Sequence, residues 1–333
     1  MKERLVQFLA CPDCNADLKL GKTERQGAEI LDGELTCTGC KRAYPILRGV
    51  PRLLPTGLEH IATEVADGFG WQWNRFDEIG KPEYEKQLYD WLRPLGPSDF
   101  KGKRVIEGGC GKGRHSAIIA EWGAAEVFAV DLGPAVEAAH RNTNHLGAVH
   151  VIQGDVTRLP LKGMADVAFS VGVLHHLPVP IDGFRSLADH VVPGGRLAIW
   201  VYGAEGNEWI TRFVDPVRTR VTAKMDRELL YKLTVPLGLL VAGVAKGIYG
   251  PASRYAPAVG SRLFYHEYMT YISQLATRDI HNIVFDQLVT PVAYYLPRHE
   301  VESWFDEPRF AHLEIEQHNG NSWRANAIVQ GRA

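Results

Sequence analysis

The amino-acid sequence predicts an α/β protein: a doubly wound parallel sheet, preceded by a four-cysteine zinc ribbon and interrupted by a helical insertion. Three observations predict this fold class. Two Cys-x-x-Cys pairs lie near the N-terminus, strand patterns alternate with helical patterns from Lys103 onward, and this alternation stops for about a hundred residues after Tyr202. The length of 333 residues exceeds that of an ordinary single domain, which indicates several structural units.

The composition is that of a soluble globular protein and excludes wholesale disorder. Hydrophobic residues make up 45% of the chain, charged residues 23%, and the formal net charge is −2. This charge gives no global positive field that would attract nucleic acid. The apolar stretch before Cys11 is too short for a secretory signal, so we expect a cytoplasmic protein. The apolar segment Leu233–Tyr249 contains Pro236 and Lys246 and is too short for a membrane span, although contact with lipid stays open.

The predicted sheet has seven strands. Five strand patterns precede the insertion, and a helix with two further strand patterns follows it. The strand patterns are Arg104–Glu107, Glu126–Val130, Val149–Gln153, Asp166–Val171, Arg196–Val201, Ala311–Gln317 and Ser322–Val329. The helical patterns are Ser116–Trp122, Ala135–Leu146, Ile181–His190 and His299–Phe305. We expect the last two strands to form an antiparallel pair that closes the sheet.

Changes in amino-acid composition and in the strand and helix patterns divide the chain into five units. The cysteine-rich start ends in a proline-rich segment, and an aromatic segment, Phe69–Phe76, precedes the first strand of the core. The units are a zinc ribbon (1–58), an aromatic linker with N-terminal helices that cover the ligand site (59–102), a ligand-binding core (103–202), a helical lid that forms the substrate pocket (203–297), and a closing helix with two strands (298–333).

The cysteine pairs predict a structural zinc site. Cys11 and Cys14 form one Cys-x-x-Cys turn, Cys37 and Cys40 form the second, and the spacing between the turns is close to that of four-thiolate zinc sites. Four protein ligands leave no open position on the metal, so we expect this zinc to stabilise its module without performing chemistry. A redox pair or two disulfides is the alternative, which a cytoplasmic location disfavours.

A glycine loop joins the first predicted strand of the core to a helix. Its glycines fall at Gly109, Gly111 and Gly113, in the spacing G-x-G-x-G. The dinucleotide motif G-x-G-x-x-G needs its last glycine one residue later, and the P-loop pattern also fails. The loop therefore disfavours a ligand held by its pyrophosphate.

Three acidic residues, Glu107, Asp131 and Asp155, follow the first three predicted strands at one edge of the sheet. Open α/β sheets bind ligands at this edge, and a carboxylate after the second strand accepts hydrogen bonds from ribose hydroxyls. Each acid alone is explained as a turn or cap residue. Together they favour a ligand without phosphates and with a cationic centre, such as S-adenosylmethionine.

Residues 103–201 resemble the core of class I S-adenosylmethionine-dependent methyltransferases. The resemblance is carried, in order, by EGGCGKG, AVDLG, GDVTRLP, SVGVLHHL and the turn Pro193-Gly194-Gly195. It implies a seven-stranded Rossmann-like methyltransferase sheet, S-adenosylmethionine as cofactor, and methyl transfer as the reaction. Position 107 is more often Asp in this family, so Glu107 is a departure.

The same resemblance implies roles for individual residues. Glu107 and the loop backbone hold the methionine part, Asp131 binds the ribose, and Asp155 with the Val156 backbone contacts the adenine. In the family, the helix before the first strand folds over the cofactor, which makes Trp73 a further candidate. The complete candidate set for cofactor binding is Glu107, Gly108, Gly109, Gly111, Gly113, Asp131, Leu132, Asp155, Val156, Ser170, Val171 and Trp73.

The N-terminal unit is similar to the zinc-ribbon module of the tRNA-methyltransferase-activator type. The similarity rests on the two cysteine pairs, on Tyr44-Pro45-Ile46, and on the apolar segment Val50–Pro55. Comparable ribbons are fused to ribosomal-RNA methyltransferases and to small-molecule methyltransferases. The ribbon therefore leaves the substrate open.

Four residues are candidates for catalysis. An oxygen nucleophile needs a base, and His175 and His176 follow the fourth strand at the ligand-binding edge. Tyr265 and His266 offer polar groups on the apolar background of the lid. A structural or cofactor-side role for the histidine pair is the alternative, because this pair recurs in the family with unlike substrates.

We therefore expect an enzyme that methylates an O, N or C atom of a small molecule bound under the helical insertion. One alternative is an RNA base methyltransferase that uses the ribbon to recognise rRNA or tRNA. Another is a non-catalytic activator, against which the cofactor motifs argue. Nucleic acid is disfavoured as a partner because the basic residues are dispersed along the chain. The methyl acceptor and the oligomeric state do not follow from the sequence.

Overall fold

The computed structural model describes residues 1–330, in which eleven strands join into one sheet. The strands are β1 (Leu18–Gln26), β2 (Glu29–Cys37), β3 (Ala43–Leu47), β4 (Val50–Leu53), β5 (Arg104–Gly108), β6 (Glu126–Asp131), β7 (Val149–Gly154), β8 (Ala165–Val171), β9 (Val191–Tyr202), β10 (Phe310–His318) and β11 (Ser322–Val329). Their order across the sheet is β1-β2-β3-β4-β7-β6-β5-β8-β9-β11-β10. The last three residues of the predicted closing unit, 331–333, lie outside the described residues.

Helices cover the sheet and form the insertion. They are α1 (His60–Arg75), α2 (Pro82–Leu92), α3 (Pro97–Phe100), α4 (Arg114–Glu121), α5 (Val136–Thr143), α6 (Pro180–Asp189), α7 (Asp215–Arg220), α8 (Arg227–Val244), α9 (Gly250–Tyr255), α10 (Pro257–Gly260), α11 (His266–Ser273), α12 (Thr277–Val289) and α13 (Arg298–Ser303). Short 3₁₀ turns span Glu3–Phe8, Val156–Arg158, Leu174–His176 and Thr222–Lys224, and π-helical turns span Ile210–Val214 and Ala245–Tyr249.

The core of the sheet confirms the predicted seven-stranded, doubly wound arrangement. Strands β5 to β9 pair in parallel, and β11 runs antiparallel between β9 and β10. The central strands are almost wholly buried, as in β8, because helices cover both faces of the sheet. This burial explains why their sequences are apolar runs without polar alternation.

The zinc ribbon shares this sheet instead of standing apart from it. Strand β4 pairs antiparallel with β3 of the ribbon and parallel with β7 of the core, through Arg52 with Gln153 and Leu53 with Gly154. The Lys2 ammonium group also donates to carbonyl oxygens that precede and begin β7, at 2.9 and 3.0 Å. The segment that the sequence analysis placed at the end of the ribbon is therefore the strand that joins the two units.

The insertion between β9 and β10 is helical, apart from a single bridge between Gly203 and Leu296. Helix α8 packs against α12, and a Cβ on Gly238 of α8 would lie 2.9 Å from the Cα of His281, so the two backbones approach closely. Through the π-helical turn and α9, the helical segment Arg227–Tyr255 is continuous over 29 residues. By length and composition alone it is long enough to cross a membrane, because the helix continues through Pro236 and Lys246.

The end of the chain follows the sequence prediction. Helix α13 and strands β10 and β11 occupy the predicted positions, and β10 and β11 form the expected antiparallel pair. The apolar side of α13 and its C-terminus, with Val301 and Trp304, is buried in the same core as Trp323 of β11.

Candidate active site and zinc site

The four cysteine sulfurs converge at one end of the ribbon. The Sγ of Cys11 lies 3.7 Å from that of Cys40, the Sγ of Cys14 lies 3.4 Å from that of Cys37, and all four atoms lie within 4.8 Å of one another. Tetrahedral zinc with Zn–S bonds of about 2.3 Å separates its sulfurs by roughly 3.8 Å, so the four thiols fit this ion. The geometry agrees with the predicted structural site, in which sulfur fills every position of the metal.

The glycine loop brings the backbone to the ligand-binding edge. Gly109, Gly111 and Gly113 have φ angles of +81°, +50° and +78°. A Cβ on Gly109 would lie 2.2 Å from a methyl group of Val173, and one on Gly111 would lie 3.1 Å from the indole nitrogen of Trp73. Both the backbone conformation and the close approach therefore require glycine at Gly109 and Gly111.

Asp131 ends β6 and is tied to the glycine loop. One carboxylate oxygen accepts a hydrogen bond from the Gly111 N–H at 2.8 Å, and the other accepts one from the Gly133 N–H at 2.9 Å. Burial raises the pKa of Asp131 to about 6. Neither Asp131 nor Asp155 forms an ion pair with a basic side chain in the described chain, so both carboxylates can serve a ligand with hydroxyl groups and a cationic centre.

Asp155 follows β7 and also has a structural role. Its carboxylate accepts a hydrogen bond from the Thr157 N–H at 2.8 Å and caps the 3₁₀ turn Val156–Arg158. The side chain lines the same cavity as Asp131. Asp155 therefore caps a turn, which the sequence analysis gave as the alternative explanation, and it also lines the cavity.

Glu107 does not line the cavity, although its partner His115 does. Its carboxylate accepts a hydrogen bond from the Ser116 hydroxyl and pairs with Nδ1 of His115 at 3.0 Å, both at the start of α4. The side chain is buried, and burial raises the pKa of Glu107 to about 8. In this structure Glu107 therefore joins β5 to α4 and lies outside the lining of the cavity.

A cavity of about 700 Å³ extends from the glycine loop to the helical insertion. The predicted cofactor residues that line it are Gly109, Gly111, Asp131, Leu132, Asp155, Val156, Val171 and Trp73. Within the described chain, four predicted residues do not line it: Glu107, Gly108, Gly113 and Ser170. The Ser170 hydroxyl donates to the Gly108 carbonyl at 2.8 Å, which places both behind the loop.

Helix α1 lies over the glycine loop through Trp73. The indole of Trp73 packs against Gly111 and lines the cavity, whereas Arg75 turns towards the insertion. The Arg75 guanidinium lies 3.2 Å from the Glu228 carboxylate and 4.0 Å from the ring centroid of Tyr231. Trp73 is therefore the residue of this segment that is placed to contact a cofactor.

Two basic side chains of the loop also line the cavity, and the sequence analysis missed them. The Lys112 ammonium group donates to the Phe76 carbonyl at 2.7 Å, and burial lowers the pKa of Lys112 to about 7. The Arg114 guanidinium lies 4.5 Å from the ring centroid of Tyr84. Their position in the sequence beside Gly111 and Gly113 could have indicated that they line the cavity.

The two histidines after β8 have different environments. Nδ1 of His176 lies 2.7 Å from the Val292 carbonyl, which can only accept, so neutral His176 carries its proton on Nδ1 and leaves Nε2 as an acceptor. His176 lines the cavity, and burial lowers its pKa to about 4. Nδ1 of His175 accepts from the Tyr202 N–H at 3.3 Å, and its Nε2 has no partner among residues 1–330. His175 lies outside the cavity lining and stacks on the Tyr202 ring.

Asp286 of α12 is a cavity residue to which the sequence analysis gave no role. One carboxylate oxygen accepts from the Tyr202 hydroxyl at 3.1 Å and the other from the Gln72 amide at 3.1 Å. Burial raises the pKa of Asp286 to about 6. An acid that titrates near neutral pH in a ligand cavity is a candidate proton acceptor. No short motif marks it, because Gln72, Tyr202 and Asp286 come from three distant segments.

The candidates in the lid separate in the structure. Tyr265 lines the cavity; its hydroxyl donates to Asn207 at 2.7 Å and accepts from the Asn321 amide at 2.6 Å. His266 begins α11, its Nδ1 lies 3.4 Å from the Thr270 hydroxyl, and it does not line the cavity in the described chain. Of the four predicted catalytic candidates, His176 and Tyr265 line this cavity, and His175 and His266 do not.

Two family models match the chain. Residues 106–199 match the model described as a methyltransferase domain, and residues 2–49 match the model described as a Trm112p-like protein. A solved structure, the DhpI–SAH complex, aligns with a TM-score of 0.50 at 14% identity, over 83% of this chain and all of that chain, and this likeness shows the fold.

Curated relatives carry a more specific name. A tRNA U34 carboxymethyltransferase of Pseudoalteromonas translucida is 28% identical over 201 residues, which cover 59% of this chain and 54% of the relative. One from Shewanella loihica is 32% identical over 115 residues, which cover 33% of this chain and 35% of the relative. The chain thus spans about half or less of the length of these relatives.

The fold, the glycine loop and the two family matches define a class I S-adenosylmethionine-dependent methyltransferase with an N-terminal Trm112-like zinc ribbon. The expectation of a small-molecule partner, with nucleic acid disfavoured, is wrong, because the relatives are named as enzymes of tRNA. The physical reason is that net charge sums over the whole chain, whereas RNA binds to local groups of basic residues.

Proposed function

We propose that this protein transfers a methyl group from S-adenosylmethionine, or a carboxymethyl group from a carboxylated derivative of it, to a base of tRNA, with uridine 34 as the first candidate. The observation that carries the proposal is the similarity to tRNA U34 carboxymethyltransferases, which extends over 201 residues and so beyond the 106–199 methyltransferase domain. The geometry of the cavity supports it with residues for the cofactor and for proton transfer.

The cofactor site consists of the glycine loop, the strand-end acids and the indole above them. Asp131 accepts from ribose hydroxyls, Asp155 lies towards the adenine, and Trp73 covers the loop at Gly111. When bound, the cofactor supplies an electrophilic carbon on a sulfonium centre. The aromatic face of Trp73 suits that positive charge.

Lys112 and Arg114 give the loop side of the cavity a positive charge. Lys112 is buried, Arg114 is half-buried, and both line the cavity beside the backbone to which the methionine part is assigned. A carboxylate is the natural partner for a lysine and an arginine in this setting. We assign these two residues to the cofactor's carboxylate.

Asp286 is the group that takes the proton of the acceptor. The acceptor atom forms a bond to the transferred carbon, the bond from that carbon to sulfur breaks, and the electron pair stays on sulfur. The acceptor's proton passes to the Asp286 carboxylate, whose pKa near 6 keeps it ionised at neutral pH. Tyr202 and Gln72 orient this carboxylate and are positioning residues.

The test is label transfer from S-adenosylmethionine to tRNA. The purified full chain is incubated in parallel with methyl-labelled S-adenosylmethionine and with its derivative carboxylated at the labelled carbon, each with tRNA transcripts that carry uridine or cytidine at position 34. We expect label in the uridine transcript and at least tenfold less in the cytidine transcript. Mass analysis of the digested nucleosides identifies the transferred group as methyl or carboxymethyl.

A matched variant tests whether the label depends on the proposed cofactor site. Asp131→Asn removes the ribose acceptor and should abolish transfer, while the exposed Asp182→Asn should leave it unchanged. Equal labelling of both transcripts would refute the choice of position 34. Absence of label from every tRNA, in a protein that binds the cofactor, would refute tRNA as the substrate.

A further inference from the structure

Helix α8 presents most of its large apolar residues outward and, apart from the buried Leu230, small residues inward. The residues buried against the rest of the insertion include Thr234, Gly238 and Ala242, whereas Leu229, Leu233 and Leu239 are exposed at 49%, 55% and 58%. A surface helix of a soluble domain has the opposite arrangement, with leucines in the core. Two further exposed leucines of α8, Leu237 and Leu240, line the ligand cavity, whereas Leu229, Leu233 and Leu239 do not and therefore suit an apolar environment outside the protein.

The neighbouring helices of the insertion continue this pattern. Exposed large apolar side chains follow and precede α8 along the chain; they are Phe213, Val217, Val221, Ile248, Tyr255, Val259 and Phe264. Most of the exposed large apolar residues of the described chain lie in this one insertion. Such a concentration marks an interaction surface and not scattered surface apolar residues.

Positive charge accompanies the apolar residues. Six exposed basic residues of residues 210–264 have no carboxylate within 4.0 Å in the described chain: Arg212, Arg220, Lys224, Lys246, Arg254 and Arg262. The acids of this stretch have partners, since Asp215 pairs with Arg218, Asp226 caps the N-terminus of α8, and Glu228 pairs with Arg75. The exposed charge of the segment is therefore strongly positive.

We propose that the insertion docks on an anionic phospholipid surface through the outward leucines of α8 and the surrounding basic residues. Apolar side chains on one face of a helix, with lysines and arginines around them, are the features of helices that lie in a membrane interface. The inward face of α8 packs on α12, so the helix lies on the surface while attached to its domain and does not cross the membrane. This inference is independent of the proposed tRNA substrate.

Two other occupants fit the same residues less well. A second copy of the chain in a two-fold contact would bring identical unpaired basic residues opposite each other, and like charges oppose such a contact. RNA is bound through basic residues with rings that stack on bases; the exposed rings Phe213, Tyr255 and Phe264 lie outside α8, whose exposed side between Leu229 and Leu240 is aliphatic apart from Lys232. An anionic bilayer offers an apolar interior to the leucines and negatively charged headgroups to the basic residues.

The experiment measures binding of the full chain to vesicles by co-sedimentation. One preparation contains phosphatidylcholine alone and the other contains about 30% phosphatidylglycerol. The test variant is Leu229→Gln/Leu233→Gln/Leu239→Gln, which keeps good helix formers on the exposed side and leaves the cavity lining intact. The matched control, Leu47→Gln/Leu313→Gln, changes exposed leucines of β3 and β10.

We expect the wild type and the control to bind the anionic vesicles at least tenfold more strongly than the neutral ones. The triple variant should lose at least tenfold of this affinity, and Arg220→Gln/Lys224→Gln should reduce the preference for phosphatidylglycerol. Unchanged calorimetric affinity for S-adenosylhomocysteine would show that the variants fold. The proposal is overturned if wild type and triple variant bind vesicles equally, or if the triple variant instead loses self-association or tRNA binding.

Discussion

The backbone of Arg52 pairs with that of Gln153, and this pairing makes the last strand of the zinc ribbon a strand of the methyltransferase sheet. The Arg52 guanidinium strengthens the junction, at 3.2 Å from the Gln153 side-chain oxygen and 2.6 Å from the Glu137 carboxylate. Strand β4 thereby covers the edge of β7, which would otherwise offer unpaired backbone groups. The ribbon and the core are consequently coupled in stability.

Loss of zinc should therefore destabilise the core as well as the ribbon. Cys37→Ser removes one of four ligands, and we expect zinc content to fall and the free energy of unfolding to drop by ~3 kcal/mol or more. Metal analysis and denaturant unfolding, followed by the fluorescence of core tryptophans, measure the two effects. The control is Cys110→Ser, which changes a cysteine of the glycine loop and should keep the zinc. An unchanged unfolding midpoint of the core in the zinc-free variant would contradict the coupling.

Replacement of Gly109 should disrupt the cofactor site. Gly109→Ala places a Cβ where φ is +81° and where a methyl group of Val173 lies 2.2 Å away. The left-handed conformation alone costs about 1–2 kcal/mol, so we expect at least a tenfold loss of calorimetric affinity for S-adenosylhomocysteine. A Cβ added at Gly147 would have no neighbouring atom within 4 Å, so Gly147→Ala should bind S-adenosylhomocysteine like the wild type. Equal affinities of the two variants would contradict the role of the loop.

Cofactor affinity should fall as the pH decreases through 6. Burial raises the pKa of Asp131 to about 6, and the ionised carboxylate is the better acceptor for ribose hydroxyls. The group is mostly ionised at pH 7 and mostly protonated at pH 5, so we expect a roughly tenfold weaker affinity at pH 5. Calorimetric titrations across this range provide the measurement. Asp131→Asn should bind weakly at every pH; if it kept the slope, another group would be responsible.

Asp286 should control turnover and not cofactor binding. We expect Asp286→Asn to lower the rate of tRNA modification at least 100-fold, with unchanged affinity for S-adenosylhomocysteine. Tyr202 donates a hydrogen bond that lowers the pKa of Asp286, so Tyr202→Phe should shift the acid limb of the pH–rate profile to higher pH. Rate measurements between pH 5 and 8 distinguish these effects. A shift to lower pH, or none, would argue against this positioning role.

Much of the site was predictable because its residues are close in sequence. The cysteine pairs, the loop from Gly109 to Gly113, and Asp131 after its strand are local patterns whose geometry follows from tight turns and strand ends. Glu107 shows the limit of this reasoning. It lies near the end of its strand as predicted, but its carboxylate is held by Ser116 and His115 at the start of α4 and is not part of the cavity lining.

The sequence by itself determined the zinc ribbon, the seven-stranded sheet and the glycine loop at its ligand-binding edge, because each depends on local backbone chemistry and on the periodicity of apolar residues. The tertiary structure alone decided that β4 joins the core sheet, that Asp286 enters the cavity beside Tyr202, and that the leucines of α8 face outward. These features depend on packing between segments far apart in the chain, and a periodic apolar pattern does not specify which face of a helix finds a partner.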